Sequence, residues 1–161
     1  MKGLRLPRVA IDTIVEDIRR RGAIGLESGA WLVASESDPT LITHIAMLGD
    51  HGILRRPDQL IVSAKAIALL LDWADRGAHV VRAQVHSHGR EAFMSDTDRR
   101  SGMTVEGFIA GIVPWARAAS TVVDDWRWWT FEQGEWSTRM APETTDDAVL
   151  TVEFDEDGVR G

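Results

Sequence analysis

The sequence contains no cysteine. No disulfide can brace the fold, and any metal it binds must be held by nitrogen and oxygen rather than sulfur. Lysine is almost missing too: Lys2 and Lys65 are the only two, and arginine supplies the remaining positive charge. Genomic base composition accounts for that imbalance without a functional role. No segment approaches the roughly 18 consecutive apolar residues of a membrane span. Charges interrupt the opening MKGLRLPRVAIDTIVEDIRR too often for a signal peptide. A cytoplasmic chain with no membrane partner is expected. A basic footprint is also lacking. The net charge is −7, and residues 142–161 carry −6 of it, with seven acids against Arg160. The rest is close to neutral, which argues against a nucleic-acid partner. There is no internal repeat, low-complexity tract or interior linker.

What is present is ordinary for one globular domain: 161 residues, 44% hydrophobic and 27% charged. Residues 1–140 carry the periodic patterns expected of that domain. Residues 141–161 read as an acidic, solvated tail, at most with a short strand in it.

The elements follow from periodicity and punctuation. Val9, Ile11, Ile14, Val15 and Ile18 recur at helical spacing, Arg19 to Arg21 suit a helix C-terminus, and Gly22 stops it. GLESGAWLVAS reads as a strand preceded by glycines, then a Ser37-Asp38-Pro39 turn, with residues 40–47 as its antiparallel neighbour. GDHGILRRPDQ reads as a loop. Ser63 can cap a helix whose stripe is Ile67, Leu70, Leu71 and Trp73, ending at Gly77. AHVVRAQVHSH reads as a core strand ending in histidines, SDTDRRSGM as a short helix capped by Ser95, and GFIAGIVPW as a further strand. Trp126, Trp128 and Thr130 alternate along a strand that turns at Gln133-Gly134 and returns through residues 135–140. Strands in succession with helices between some of them indicate an α/β domain with a mixed sheet.

The chemistry concentrates in His86-Ser87-His88 and Ser95-Asp96-Thr97-Asp98. A strand's period of two puts both histidines on one face, roughly 6–7 Å apart. That suits two imidazoles closing on one metal, and it also suits two ordinary surface residues. Ser95-x-x-Asp98 is by itself a capping pattern that needs no function. Together they arrive in the order a three-ligand zinc site requires, with Asp98 folding back from the first helical turn as the third ligand and a fourth position left for water. Ser95 can serve twice, capping the helix and pointing its hydroxyl at a metal-bound substrate. His44, His51 and His79 show no ligand spacing and read as structural or surface residues.

HSHGREAFMSDTD, taken with the upstream LESGAWLVA, resembles the JAMM signature of the JAB/MPN zinc metalloprotease family: His-x-His, a loop, Ser-x-x-Asp, and a glutamate well upstream in a glycine-flanked context. The resemblance covers roughly residues 9–140. It implies a single JAB1/MPN-like α/β domain with a mixed central sheet flanked by helices. It further implies one Zn2+ per chain on His86, His88 and Asp98, and catalytic roles for Glu27 and Ser95. Glu27 would take a proton from water and deliver it to the leaving amine, and Ser95 would stabilise the oxyanion. Glu36 and Glu91 are rivals by residue type, but only Glu27 has the family context.

The implied substrate is a ubiquitin-like protein, cut after its C-terminal tail in precursor processing or deconjugation. The small stand-alone bacterial members that this chain resembles partner ubiquitin-like conjugation operons, some tied to antiphage defence. Cognate activating and conjugating enzymes are therefore implied partners. Two other readings are a peptidase that trims a ThiS-like sulfur carrier and a metal-free MPN scaffold; the complete ligand set argues against the scaffold. The sequence departs from the family pattern twice: Gly89 stands where proline is common, and the six-residue loop 89–94 is one shorter than the most familiar spacing. Trp126, Trp128, Trp129 and Trp136 offer either a groove for an extended tail or a hairpin packed on the sheet.

Overall fold

A computed structural model describes residues 3–161. Helix α1 (Arg8–Gly22) buries Ala10, Ile11, Ile14, Val15 and Ile18 on one face, with Arg19, Arg20 and Arg21 in its last turn, where positive charge complements the helix dipole. Helix α2 (Ala64–Arg76) starts at Ser63, whose hydroxyl accepts the Ala66 N–H at 3.2 Å, and stops at Gly77. Its buried line runs through Ala66, Leu70 and Ala74, so Ile67, Leu71 and Trp73 of the expected stripe are only half-buried. A third, short helix is α3 (Asp96–Ser101).

The strands are β1 (Arg5–Pro7), β2 (Gly29–Ser35), β3 (Asp38–Leu48), β4 (Ile53–Arg56), β5 (Gln59–Val62) and β6 (His79–Ser87). They continue with β7 (Ile109–Val113), β8 (Arg127–Glu132), β9 (Glu135–Arg139), β10 (Glu143–Thr145), β11 (Leu150–Asp155) and β12 (Gly158–Arg160). The main sheet runs β10-β1-β3-β2-β6-β7-β8-β9, with β11 on the far part of β3 and β12 on β11. It is mixed: β2 is antiparallel to β3 and β6, while β6–β7 and β3–β11 are parallel. The sheet is sandwiched between α1 and α2. Ala30, Leu32 and Ala34 of β2 join the core under α1, and Trp31 between them joins the core under α2. Among the described residues no helix is long and apolar enough to cross a membrane.

Three expectations are corrected. The stretch read as a loop holds the β4–β5 hairpin, turning at Pro57-Asp58. Arg55 staples it to the end of β3 by donating to the Leu48 and Gly49 carbonyls at 3.0 and 2.9 Å. The turn after β2 lies at Glu36-Ser37, and Asp38 already belongs to β3. The acidic end is not a solvated tail. Residues 143–145 pair with β1, and residues 150–154 extend the sheet along β3. Val152 and Phe154 alternate with polar neighbours, and Phe154 is fully buried, edge-on to Trp31 with ring centres 6.1 Å apart. Buried Asp155 is satisfied by the Asp50 and Asp157 N–H groups (3.0 and 2.8 Å) and by Arg160 (2.7 and 3.0 Å). The Arg160 hydrogen bonds hold its carboxyl well below the usual carboxylate range.

Candidate metal centre

β6 ends in the sheet's interior, so its period-two alternation sends His86 to one side, and the chain leaving the strand carries His88 the same way. Both are buried. His88 is pinned through its backbone: its N–H donates to the Val113 carbonyl at 2.9 Å, and its carbonyl accepts the Ala116 N–H at 3.1 Å. Asp98 arrives from α3. Ser95 Oγ accepts the Asp98 N–H at 3.0 Å while Asp98 Oδ2 accepts the Ser95 N–H at 3.0 Å, a complete capping box. The box that explains Asp98 as a helix cap therefore also aims its carboxylate at the histidines.

His86 Nε2 lies 3.1 Å from Asp98 Oδ1, and His88 Nε2 lies 3.2 Å from Asp98 Oδ2. One ligand atom from each of the three residues falls within 4.8 Å of the others, the spacing a single metal ion would need. Two details favour a cation between them. His88 Nδ1 faces the Glu91 carbonyl at 3.2 Å, so in the neutral ring, the form that binds a metal, the proton sits on Nδ1 and Nε2 presents its lone pair toward the Asp98 carboxylate. His86 Nε2 is buried without a hydrogen bond of good geometry despite its proximity to Asp98. A metal ion on these atoms would resolve both, and the nitrogen and oxygen donor set suits zinc.

Burial acts to raise the Asp98 carboxyl, but the His86 and His88 rings held against it outweigh that, and the net direction is down. For His88, burial acts to lower the pKa, and the Asp98 hydrogen bond with the Asp98 and Glu27 charges reverses it. Glu27 behaves oppositely: burial pushes its carboxyl up to about 8. It is 5% exposed and shares with His88 and Ser95 the wall of a cleft of about 390 Å³. Among the described residues, then, the histidines and Asp98 converge, and Glu27 and Ser95 stand beside them on the cleft.

The cleft has walls that sequence reasoning missed. Pro57 and Asp58 at the tip of the β4–β5 hairpin line it, and the Arg56 carbonyl accepts the Glu27 N–H at 3.1 Å. The signal was present in Pro57-Asp58, a turn dipeptide between apolar pairs. Phe93, 55% exposed, packs edge-on against the His88 ring at 4.9 Å between centres. Arg90 and Arg117 complete one rim.

Other residues fall elsewhere. Glu36 sits on the exposed turn after β2, and Glu91 lines the cleft but is exposed. His44 and His79 pack together beside Trp73, and His51 faces Asp157 at 3.2 Å. The tryptophans do not wall this cleft; Trp126 and Trp128 line a separate hollow with Arg127 and Arg139. Trp126 and Trp128 stack in the core and donate to the Ser120 and Val123 carbonyls; Trp129 is buried, and none of the three lines the cleft. Trp136 instead backs the metal cluster, lining a small hollow with His86 and Asp98.

No protein-family model and no curated protein matches the sequence. Among solved structures, the chain is similar to a Desulfitobacterium hafniense protein determined in solution, with TM-score 0.65 and 12% identity over 91% of this chain and 94% of that one. It is also similar to a JAB1/MPN domain protein from Archaeoglobus fulgidus, with TM-score 0.51 and 18% identity over 90% of this chain and 100% of that one. The fold, with its mixed central sheet between helices, is therefore JAB1/MPN-like.

Proposed function

We propose that this chain is a zinc-dependent peptidase or isopeptidase that cuts after the C-terminal tail of a ubiquitin-like protein, acting in the cytoplasm within a bacterial ubiquitin-like conjugation system of the antiphage-defence kind. The observation that carries the reading is the convergence of His86, His88 and Asp98 around one point, with an unsatisfied buried His86 Nε2, beside a cleft that holds Glu27. The ubiquitin-like substrate, and the activating and conjugating enzymes as partners, follow from the motif resemblance.

His86, His88 and Asp98 would hold the metal. When bound, zinc supplies Lewis acidity, lowering the pKa of a coordinated water from about 15.7 to about 7. The remaining work falls to the chain's own groups. Glu27, as the carboxylate, takes a proton from the attacking water; its burial favours the acid so formed, which passes the proton to the leaving amine. Ser95 Oγ already accepts the Asp98 N–H, which leaves its O–H free to donate to the carbonyl oxygen as charge develops there. The cleft, walled by Leu26, Pro57 and Phe93, gives an extended tail an apolar surface.

The test is cleavage of a ubiquitin-like precursor encoded beside this chain's gene, with and without chelator. Chelator and Glu27→Ala should each abolish cleavage, with zinc retained in the variant. Cleavage that survives chelator overturns the reading. Cleavage confined to a ThiS-like carrier would move the substrate to sulfur-carrier trimming.

A further inference from the structure

Glu27 lies just before β2, and His86 and His88 stand at the end of β6. Two fully buried serines join these segments: the Ser28 N–H donates to Ser87 Oγ at 3.0 Å, and the Ser87 N–H donates to the Ser28 carbonyl at 2.8 Å. One residue on, Gly29 pairs with His86, so closely that a Cβ at Gly29 would lie 2.1 Å from the Val85 carbonyl oxygen. The Ser28 hydroxyl points the other way and donates to Asp17 Oδ2 of α1 at 2.5 Å. Arg20 holds the other oxygen of Asp17 at 2.6 Å, with Arg21 at 3.7 Å. A continuous line of contacts thus runs from α1 through Ser28 and Ser87 to the backbone between the two histidines.

None of these residues touches the reacting atoms of the proposed mechanism. We propose that Asp17 is a positioning residue for Glu27, acting through Ser28, with Ser87 closing the same latch from the metal-ligand strand. The inference rests on the metallopeptidase reading above. The Ser28 hydroxyl has a charged acceptor, which makes its bond among the stronger kinds. Turning Ser28 away would leave a buried hydroxyl and a largely buried carboxylate oxygen unpaired. Three tethers therefore fix residues 27–29: the hairpin through the Arg56 carbonyl, β6 through Ser87, and α1 through Asp17. Fixing the base matters because a displacement of about 1 Å can cost a catalytic group about 10²-fold in rate.

The test uses the full chain loaded with Co2+, whose visible absorption reports on groups near the metal without any substrate. Glu27→Gln is the reference change. Ser28→Ala and Asp17→Ala should still bind one cobalt per chain. Their affinity should fall by less than about 10-fold, short of the 10- to 100-fold typical of removing a metal ligand's own partner. Their spectra should move in the direction of Glu27→Gln, whereas Asp17→Asn, which keeps an acceptor oxygen for Ser28, should stay near wild type. Wild-type spectra in both alanine variants would overturn the latch and leave the metallopeptidase reading intact. Loss of cobalt together with a cooperative melt would make the contacts structural only, and would also overturn the latch. A wild-type chain that takes no cobalt, or a Glu27→Gln spectrum that does not move, would overturn the metallopeptidase reading and this inference with it.

Discussion

Glu27 titrates unlike an ordinary glutamate, and the sign of its effect on stability follows from where it sits. In the unfolded chain it loses its proton near 4.5, and in the fold burial delays that loss to about 8. Below the lower value both states are protonated and Glu27 adds nothing. Between the two, the unfolded state releases a proton that the folded state keeps, so stability falls as pH rises; above about 8 the full penalty persists. In the metal-free protein, Glu27→Gln should therefore raise Tm by several degrees at pH 8.5 and leave it unchanged near pH 4.5. Melting curves of the two proteins across that range check this. A gap that stays constant with pH would mean that burial is not what perturbs Glu27.

α3 joins helix capping to the candidate metal site, because Ser95 and Asp98 cap each other and Asp98 also faces both histidines. Ser95→Ala removes the acceptor for the Asp98 N–H, at a cost of about 1 kcal/mol in a helix of six residues. The loosened first turn should weaken zinc binding about 10-fold or more, and Ser95→Thr should restore it, as a zinc titration of both variants would show. This element also shows what the sequence makes legible. His86 and His88 share a face by the period of a strand, and Ser95 and Asp98 pair by the geometry of one helical turn; both rules are local, so both could be read directly. Glu27 was reached only through family context, since its place depends on the Arg56 carbonyl and Ser87, which are distant in sequence. The β4–β5 hairpin was hidden for another reason: its strands are four residues long, and arginines occupy half of one of them.

The whole molecule is closed by its C-terminal strands, whose acidic composition concealed Phe154. The parallel pairing of β11 with β3 joins residues more than a hundred positions apart, and no local pattern announces it. Phe154 fills the core between Trp31 and the residues under α2, so Phe154→Ala should cost about 3 kcal/mol in urea unfolding. A cost under about 1 kcal/mol would return this segment to the role of a peripheral tail. The convergence of His86, His88 and Asp98 is likewise a property of the assembled chain, since the end of β6, the residue that follows it and α3 bring these side chains together, and the segment before β2 carries Glu27 to the same cleft. The most direct test of the account is calorimetric titration of zinc into the metal-free wild-type chain and its His88→Ala variant. The account predicts one saturable site per chain in the wild type and none in the variant; no saturable binding in the wild type, or equal binding in both, would contradict it.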